Sequence, residues 1–321
     1  MVKGFAIFTV IFTVLVVCSG LCFAIEGGTR PISMGGAFVA IADDAHAVSW
    51  NPAGMAWQED FELTYSAILN NRDKYICGDF MSDDYLSLCA PIKAGYKSDF
   101  NSFGAVGLFV NNTGYKQGGA NTEIFQPGIS YGKQIFSDNF AVGVSLSSYA
   151  LDVSVPNISD NDTVYSINLG VLWYINEHVT FGCLWENVNE PTYSLFNITN
   201  RLVRNLRPGI AYYFSENTVI TMDIYDLTGN TEDRASDYSQ DIRIGFEHYL
   251  NDDISLRVGA HHPNSDVDSS KYYSCGFGWQ RSDFMGVYPV SYYLDYGFVY
   301  WPEAPTGTDT YTHQLGATLK F

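Results

Sequence analysis

Positive charge is scarce in this chain, where 17 Lys and Arg face 35 Asp and Glu for a formal net charge of −18. A surface that binds phosphates needs basic patches, so nucleic acid is excluded as a partner. Charge of either sign is thin, at 16% of residues against the roughly 25% usual in soluble domains. Beyond residue 24, no stretch approaches the roughly 20 consecutive apolar residues of a spanning helix. Cysteine is sparse as well. Cys18 and Cys22 fall in the first 24 residues, and Cys77, Cys89, Cys183 and Cys275 show neither C-x-x-C nor His-paired spacing. That argues against a zinc site and a disulfide framework. Catalytic signatures are missing too. Met34-Gly35-Gly36 is not followed by the Lys-Ser/Thr of a phosphate loop, and no G-x-S-x-G occurs. His261, His262 and Asp266 are close in sequence, but no nucleophile context accompanies them. The expectation is a protein that is not an enzyme and uses no metal or cofactor.

What is present begins with a leader. Lys3 supplies a positive start, Phe5 to Val17 is an uncharged apolar core, and Cys22-Phe23-Ala24 ends in a small residue. Residues 1–24 therefore read as a secretory signal peptide cleaved after Ala24. The rest is rich in Tyr (23), Phe (21) and Gly (29). A membrane barrel has this profile, with aromatic girdles outside and small residues inside.

Period-2 alternation runs along the chain. Tyr165, Ile167, Leu169, Val171 and Trp173 share one face of a segment whose other face carries Ser166, Asn168 and Gly170. Ile242, Ile244 and Phe246 alternate with Arg243, Gly245 and Glu247, and Ile254, Leu256 and Val258 with Ser255, Arg257 and Gly259. Tyr292, Leu294, Tyr296 and Phe298 alternate with Tyr293, Asp295 and Gly297. Helices would stack residues every three or four positions, which these segments do not do. The parity puts Cys183 and Cys275 on the apolar face and Cys89 on the other. It also puts Arg243, Glu247, Arg257 and Asp295 toward the lumen, and their mixed sign favours ions of neither charge.

Short turns at Ser137-Asp138, Asn176-Glu177, Ser215-Glu216 and Asp252-Asp253 separate longer polar loops near 152–162, 187–206, 228–237 and 262–270. Strict alternation of short and long connections is the habit of outer-membrane barrels. Fourteen strands are expected, near 61–69, 84–92, 102–111, 122–136, 139–151, 163–175, 179–188, 207–214, 218–228, 239–250, 254–262, 272–281, 289–301 and 310–321. The run Tyr75 to Met81 is assigned to a surface loop, because an odd strand would leave the termini at opposite ends. The fold class is thus an all-β transmembrane antiparallel barrel over residues 61–321.

The last strand ends at Phe321, with Leu315, Ala317 and Leu319 in the same outward row. A terminal aromatic on an amphipathic strand resembles the signal read by the bacterial barrel-assembly machinery, and Lys320 beside it points inward.

Between leader and barrel, residues 25–60 hold the most specific stretch. Arg30, then Met34-Gly35-Gly36-Ala37, Asp43-Asp44 and Asn51-Pro52-Ala53-Gly54 follow at fixed spacing. The pattern resembles the N-terminal motif of the FadL-like long-chain fatty-acid outer-membrane transporters and the related PorV/PorQ-like barrels. The resemblance implies that this segment folds into the lumen as a hatch. Gly35 and Gly36 would permit close backbone approach, and Asn51-Pro52 would make a turn. Asp43 and Asp44 would be costly inside a barrel unless paired, and Arg243 or Arg257 is the expected partner. The resemblance further implies an outer-membrane location among lipid and lipopolysaccharide, and passive uptake of hydrophobic small molecules such as long-chain fatty acids. A largely closed channel follows if the hatch stays in place. The alternative is a PorV-like role that binds secreted proteins in type IX secretion.

Overall fold

The computed structural model describes residues 27–69, 84–92, 103–117, 120–156, 158–229, 240–262, 271–282, 290–304 and 308–321. The leader, the run Tyr75 to Met81, Cys77 and Asp266 lie outside them.

Sixteen strands occur among the described residues. They are β1 (Glu62–Leu69), β2 (Asp84–Pro91), β3 (Ala105–Gln117), β4 (Ala120–Gln134), β5 (Phe140–Val155), β6 (Ile158–Tyr174) and β7 (Val179–Glu186). Then come β8 (Thr192–Leu195), β9 (Ile198–Arg201), β10 (Asn205–Ser215), β11 (Thr218–Tyr225) and β12 (Asp241–Asn251). The last are β13 (Ile254–His261), β14 (Tyr272–Arg281), β15 (Ser291–Ala304) and β16 (Thr308–Lys320). Fourteen of them close a barrel in chain order, β10 following β7 and β16 pairing antiparallel with β1. Closure leaves no unpaired sheet edge at the seam, where Glu62 sits opposite Lys320 and Leu69 opposite His313.

Side-chain alternation follows the sequence parity. On β6, Tyr165, Ile167, Leu169 and Trp173 are exposed on the outer surface, while Ser166 and Asn168 are buried inside. The outer rows of β13, β14 and β15 carry Leu256, Val258, Phe277, Trp279, Leu294 and Tyr296. An apolar belt covering a closed barrel on the outside is what a bilayer core accepts, because closure gives each barrel strand a ladder on both sides. Cys89 is buried inside, Cys275 is exposed outside and Cys183 is half-buried on the outer row of β7; all three are free thiols.

Two expectations about connections are overturned. Gln117 pairs with Ala120 and Val155 with Ile158, so two hairpins close over two residues each. The polar run at 152–162 is therefore ladder, not loop. Leu151, Val153 and Val155 continue the inward row, and this alternation sustains pairing beyond the apolar belt. Secondly, the segment 187–206 contains the separate hairpin β8–β9. Its turn residues Phe196 and Asn197 have φ of 52° and 63°. Two-residue hairpin turns of this hand usually show Asn-Gly, so Phe196 hides the signal.

The N-terminal segment is mostly irregular, with two short helices, α1 (Thr29–Ser33) and α2 (Ala47–Trp50), and a 3₁₀ turn over Pro52–Trp57. Met34, Ala37, Phe38, Val39, Ala40 and Met55 have no exposed surface. Met34, Phe38, Ala40 and Met55 form a core with Tyr85, Cys89, Phe109 and Ala211 from the inner wall.

Candidate functional site

An irregular chain inside a barrel must find partners for its backbone groups, since each one left unpaired and dry is expensive. The inner wall supplies them. Ser66 Oγ accepts the Thr29 N–H at 3.2 Å, and Ser87 Oγ donates to the Ala45 carbonyl at 2.9 Å. Ser274 Oγ accepts the Gly35 N–H and donates to the Ser33 carbonyl, both at 3.0 Å. Glu62 takes the Ala45 N–H at 2.8 Å, and Ser130 Oγ donates to the Val48 carbonyl at 2.5 Å. Asn51 donates to the carbonyls of Val39 and Val171 at 2.8 and 3.0 Å while accepting the Ala53 N–H. That last bond caps the 3₁₀ turn at Pro52, Ala53 and Gly54.

Room for the segment comes from glycines on the inward rows. Gly132, Gly143 and Gly170 lie side by side on β4, β5 and β6, where a Cβ would run into Pro52, Asn51 or Ala53. Gly245 and Gly259 pair across β12 and β13, and a Cβ on Gly245 would stand 2.7 Å from the Met34 carbonyl oxygen. On the other side of that contact, Gly35 and Gly36 turn the chain after α1 with φ of 64° and 73°. A Cβ on Gly35 would meet the backbone of Ala260 at 2.6 Å. Segment and wall thus touch backbone to backbone.

A chain of charges joins the two. Arg30 on α1 reaches Asp43 at 2.5 Å and Asp44 at 2.7 Å. It also holds Glu247 of β12 through Nε at 3.0 Å and Nη2 at 2.7 Å. Glu247 in turn pairs with Arg257 of β13 at 2.6 Å, and Arg257 with Asp295 of β15 at 2.5 Å. This corrects the sequence expectation that Asp43 and Asp44 pair with Arg243 or Arg257. Both bind Arg30 of their own segment, because its guanidinium lies between them and Glu247 and has donors for all three. Arg243 lies apart, pairing with Asp241 at 3.0 Å and stacking over the Tyr225 ring at 4.4 Å.

Asp44 also meets His46 Nδ1 at 2.9 Å. Burial works against the Asp44 carboxylate. The facing charges and hydrogen bonds of His46 and Arg30 outweigh it and hold its pKa well below the usual carboxylate range. Burial likewise works against the Arg30 guanidinium, and the charges of Asp43, Glu247 and Asp44 overcome it, so Arg30 stays ionised.

A second anchor was not singled out in the sequence. Asp223 of β11 accepts the N–H groups of Phe38 and Val39 at 2.9 and 3.0 Å on one oxygen. Arg207 of β10 donates to the Gly36 carbonyl, faces Asp223 at 3.5 Å and lies 4.9 Å from the Trp50 ring centre. The available signal was parity, since Arg207 and Asp223 are lone charges on otherwise uncharged inward rows.

Beside the Arg30 cluster, a cavity of about 80 Å³ is lined by Arg30, Asp43, Glu247, Tyr213, Tyr249 and the β10–β11 turn. At the opposite end of the barrel a second apolar cluster forms. Ile124, Leu151, Val153, Val155 and Val164 on the inner faces of β4, β5 and β6 are covered by Tyr193 and Leu195 of β8. No three His, Cys, Asp or Glu side chains among the described residues are arranged to hold a metal ion. At the seam, Phe61 and Phe321 exchange backbone hydrogen bonds at 3.2 and 2.9 Å, and Lys320 reaches Glu62 at 3.1 Å.

No protein-family model and no curated protein sequence matches the chain. Solved structures do. The P. putida toluene transporter TodX matches with a TM-score of 0.61 at 13% identity, covering 92% of this chain and 98% of that one. A Pseudomonas aeruginosa FadL homologue matches at 0.59 and 12% identity, covering 90% and 96%. The Ralstonia pickettii toluene transporter TbuX matches at 0.58 and 13% identity, covering 93% and 98%. At such identities it is architecture that is shared: this chain has the closed 14-strand antiparallel fold of the FadL-type barrels.

Proposed function

We propose that this protein is a bacterial outer-membrane barrel that takes up hydrophobic small molecules passively, with residues 25–60 acting as its hatch. The observation that carries the reading is a full-length match to barrels described as toluene transporters and a FadL homologue. It comes with a chain whose outer belt is apolar and whose N-terminal segment is packed against the inner wall. In this reading residues 1–24 direct export and are removed, Phe321 closes the last strand for the barrel-assembly machinery, and lipopolysaccharide surrounds the exposed end. Long-chain fatty acids and monoaromatic hydrocarbons are the substrate classes to try first. That the matched barrels are described as toluene transporters and a FadL homologue supports a transporter rather than an enzyme.

A second reading, a PorV-like barrel that binds secreted proteins, is favoured by one feature. Strands β3 to β6 run 13 to 17 residues, whereas a bilayer needs only about 9–11. The surplus makes a blade that a protein could grip. Deletion in the native host separates the two readings. Transport predicts slower uptake of labelled oleate or toluene with the surface proteins unchanged; the second reading predicts loss of a surface-attached cohort with uptake unchanged.

A further inference from the structure

The outer half of β6 has no strand neighbour on its β7 side, because β7 pairs with β6 only between Leu169 and Tyr174. Above that, the Val188 N–H still reaches the Ile167 carbonyl at 2.9 Å, and side chains supply the rest of the ladder. Asn189 accepts the Ile167 N–H at 3.0 Å and donates to the Tyr165 carbonyl at 2.8 Å, standing in for a strand residue. Further out, the N–H groups of β6 face N–H groups of the hairpin β8–β9. Two donors cannot bond each other; an acceptor must sit between them.

Two carboxylates do so. Asp160 accepts the Asn161 N–H on one oxygen at 3.0 Å and the Phe196 N–H on the other at 2.5 Å. Asp162 accepts the Thr163 N–H at 2.8 Å and the Ser194 N–H at 2.6 Å. By sequence these two acidic residues belong to the polar run at 152–162.

As a strand pair the hairpin is short, four residues a side, with the hydroxyls of Ser194 and Thr199 meeting across it at 2.9 Å. It is a two-stranded sheet of its own, and isolated two-stranded hairpins are marginal in water. Phe196 sits at φ 52°, a left-handed backbone that a bulky side chain adopts only at a cost. What compensates is apolar contact: Tyr193, Leu195 and Phe196 lie on the inner wall formed by Ile124, Leu151, Val153 and Val164. Below this patch the inner row turns polar, with Gln126, Ser147, Ser166 and Asn168 all buried. The base of the hairpin is pinned, since Asn187 donates to the Val203 carbonyl at 3.1 Å and Leu202 N–H to the Pro191 carbonyl at 2.9 Å. A fixed base, a weakly paired arm and an apolar underside make a hinged cover.

We propose that hairpin β8–β9 is a lid latched by Asp160 and Asp162, and that the hydrocarbon part of a small molecule replaces Tyr193, Leu195 and Phe196 on the wall when the latch opens. The occupant rests on the transport reading above; the latch does not.

The test uses the full chain in lipid nanodiscs, with amide exchange followed over residues 192–201 and sodium oleate as the probe. In D160N/D162N each side chain keeps its size but loses one of two acceptors, so exchange of the hairpin should quicken about tenfold with β12 unchanged. Heat-modifiable migration in gels checks that the barrel itself is formed. Oleate added to the wild-type chain should quicken the same amides. Wild-type exchange rates in D160N/D162N would overturn the latch. Oleate that is taken up yet leaves the hairpin amides unmoved would overturn the seat. A hairpin freed by D160N/D162N in a protein that takes up neither oleate nor toluene supports the latch and overturns the transport reading.

Discussion

Arg30 holds both carboxylate oxygens of Glu247, at 3.0 and 2.7 Å, and this fork ties the N-terminal segment to strand β12. Bidentate pairs of this kind are directional as well as strong. Glu247 is 2% exposed, so neither charge has water to fall back on. Changing Glu247 to Gln removes the one charge that faces both Arg30 and Arg257, leaving Asp43, Asp44 and Asp295 to hold them, and should cost about 3–5 kcal/mol of stability. Urea unfolding of the purified barrel, followed by loss of heat modifiability, measures this. A change under about 1 kcal/mol, the range of exposed pairs, would show that the network is ornamental.

Backbone-to-backbone contact makes a second forecast. A Cβ on Gly245 would stand 2.7 Å from the Met34 carbonyl oxygen and 2.9 Å from Met34 Cβ. Gly245→Val should leave the barrel closed, since β12 keeps its ladder, but push the segment off the wall. In planar bilayers the wild-type protein should conduct weakly and this variant steadily. Equal conductance in the two would separate the segment from channel closure.

The depressed Asp44 pKa sets a pH window. A carboxylate whose folded pKa lies below its unfolded value stabilises the fold fully above the unfolded value, near 3.8 for an Asp. That stability is lost only as pH falls through the lower, folded value. Exchange protection of residues 27–58 should thus stay flat from neutral pH down to about 4 as far as Asp44 is concerned, the range where an ordinary carboxylate begins to protonate. Asp44→Asn should lower protection throughout that range. Wild-type protection that drops well above pH 4 would contradict this account of Asp44.

Phe321 and Phe61 close the seam by two backbone bonds, with their rings 5.8 Å apart. Removing Phe321 should cut the amount of folded barrel in the outer membrane several-fold, read as heat-modifiable protein in membrane fractions. An unchanged amount would mean that the seam and the assembly signal lie elsewhere.

The barrel was legible because parity repeats. The strand read at 272–281 is β14 to the residue, and the inward places of Arg243, Glu247, Arg257 and Asp295 follow from alternation alone. Partnership was not legible. Arg30, Asp43 and Asp44 are within 14 residues of one another, yet their meeting depends on how an irregular segment folds back inside a closed wall. Arg207 and Asp223 belong to neighbouring strands, and nothing local says that Gly36, Phe38 and Val39 pass between them. The hairpin β8–β9 escaped because four-residue strands carry little periodicity, and Phe196-Asn197 stands where Asn-Gly would have marked the turn.

Flux through the purified protein bears most directly on the whole reading. Reconstituted into liposomes, the chain should speed entry of labelled oleate or toluene several-fold over protein-free vesicles, without a matching leak of small ions. Entry at the protein-free rate for both probes, from a barrel shown to be folded, would contradict it.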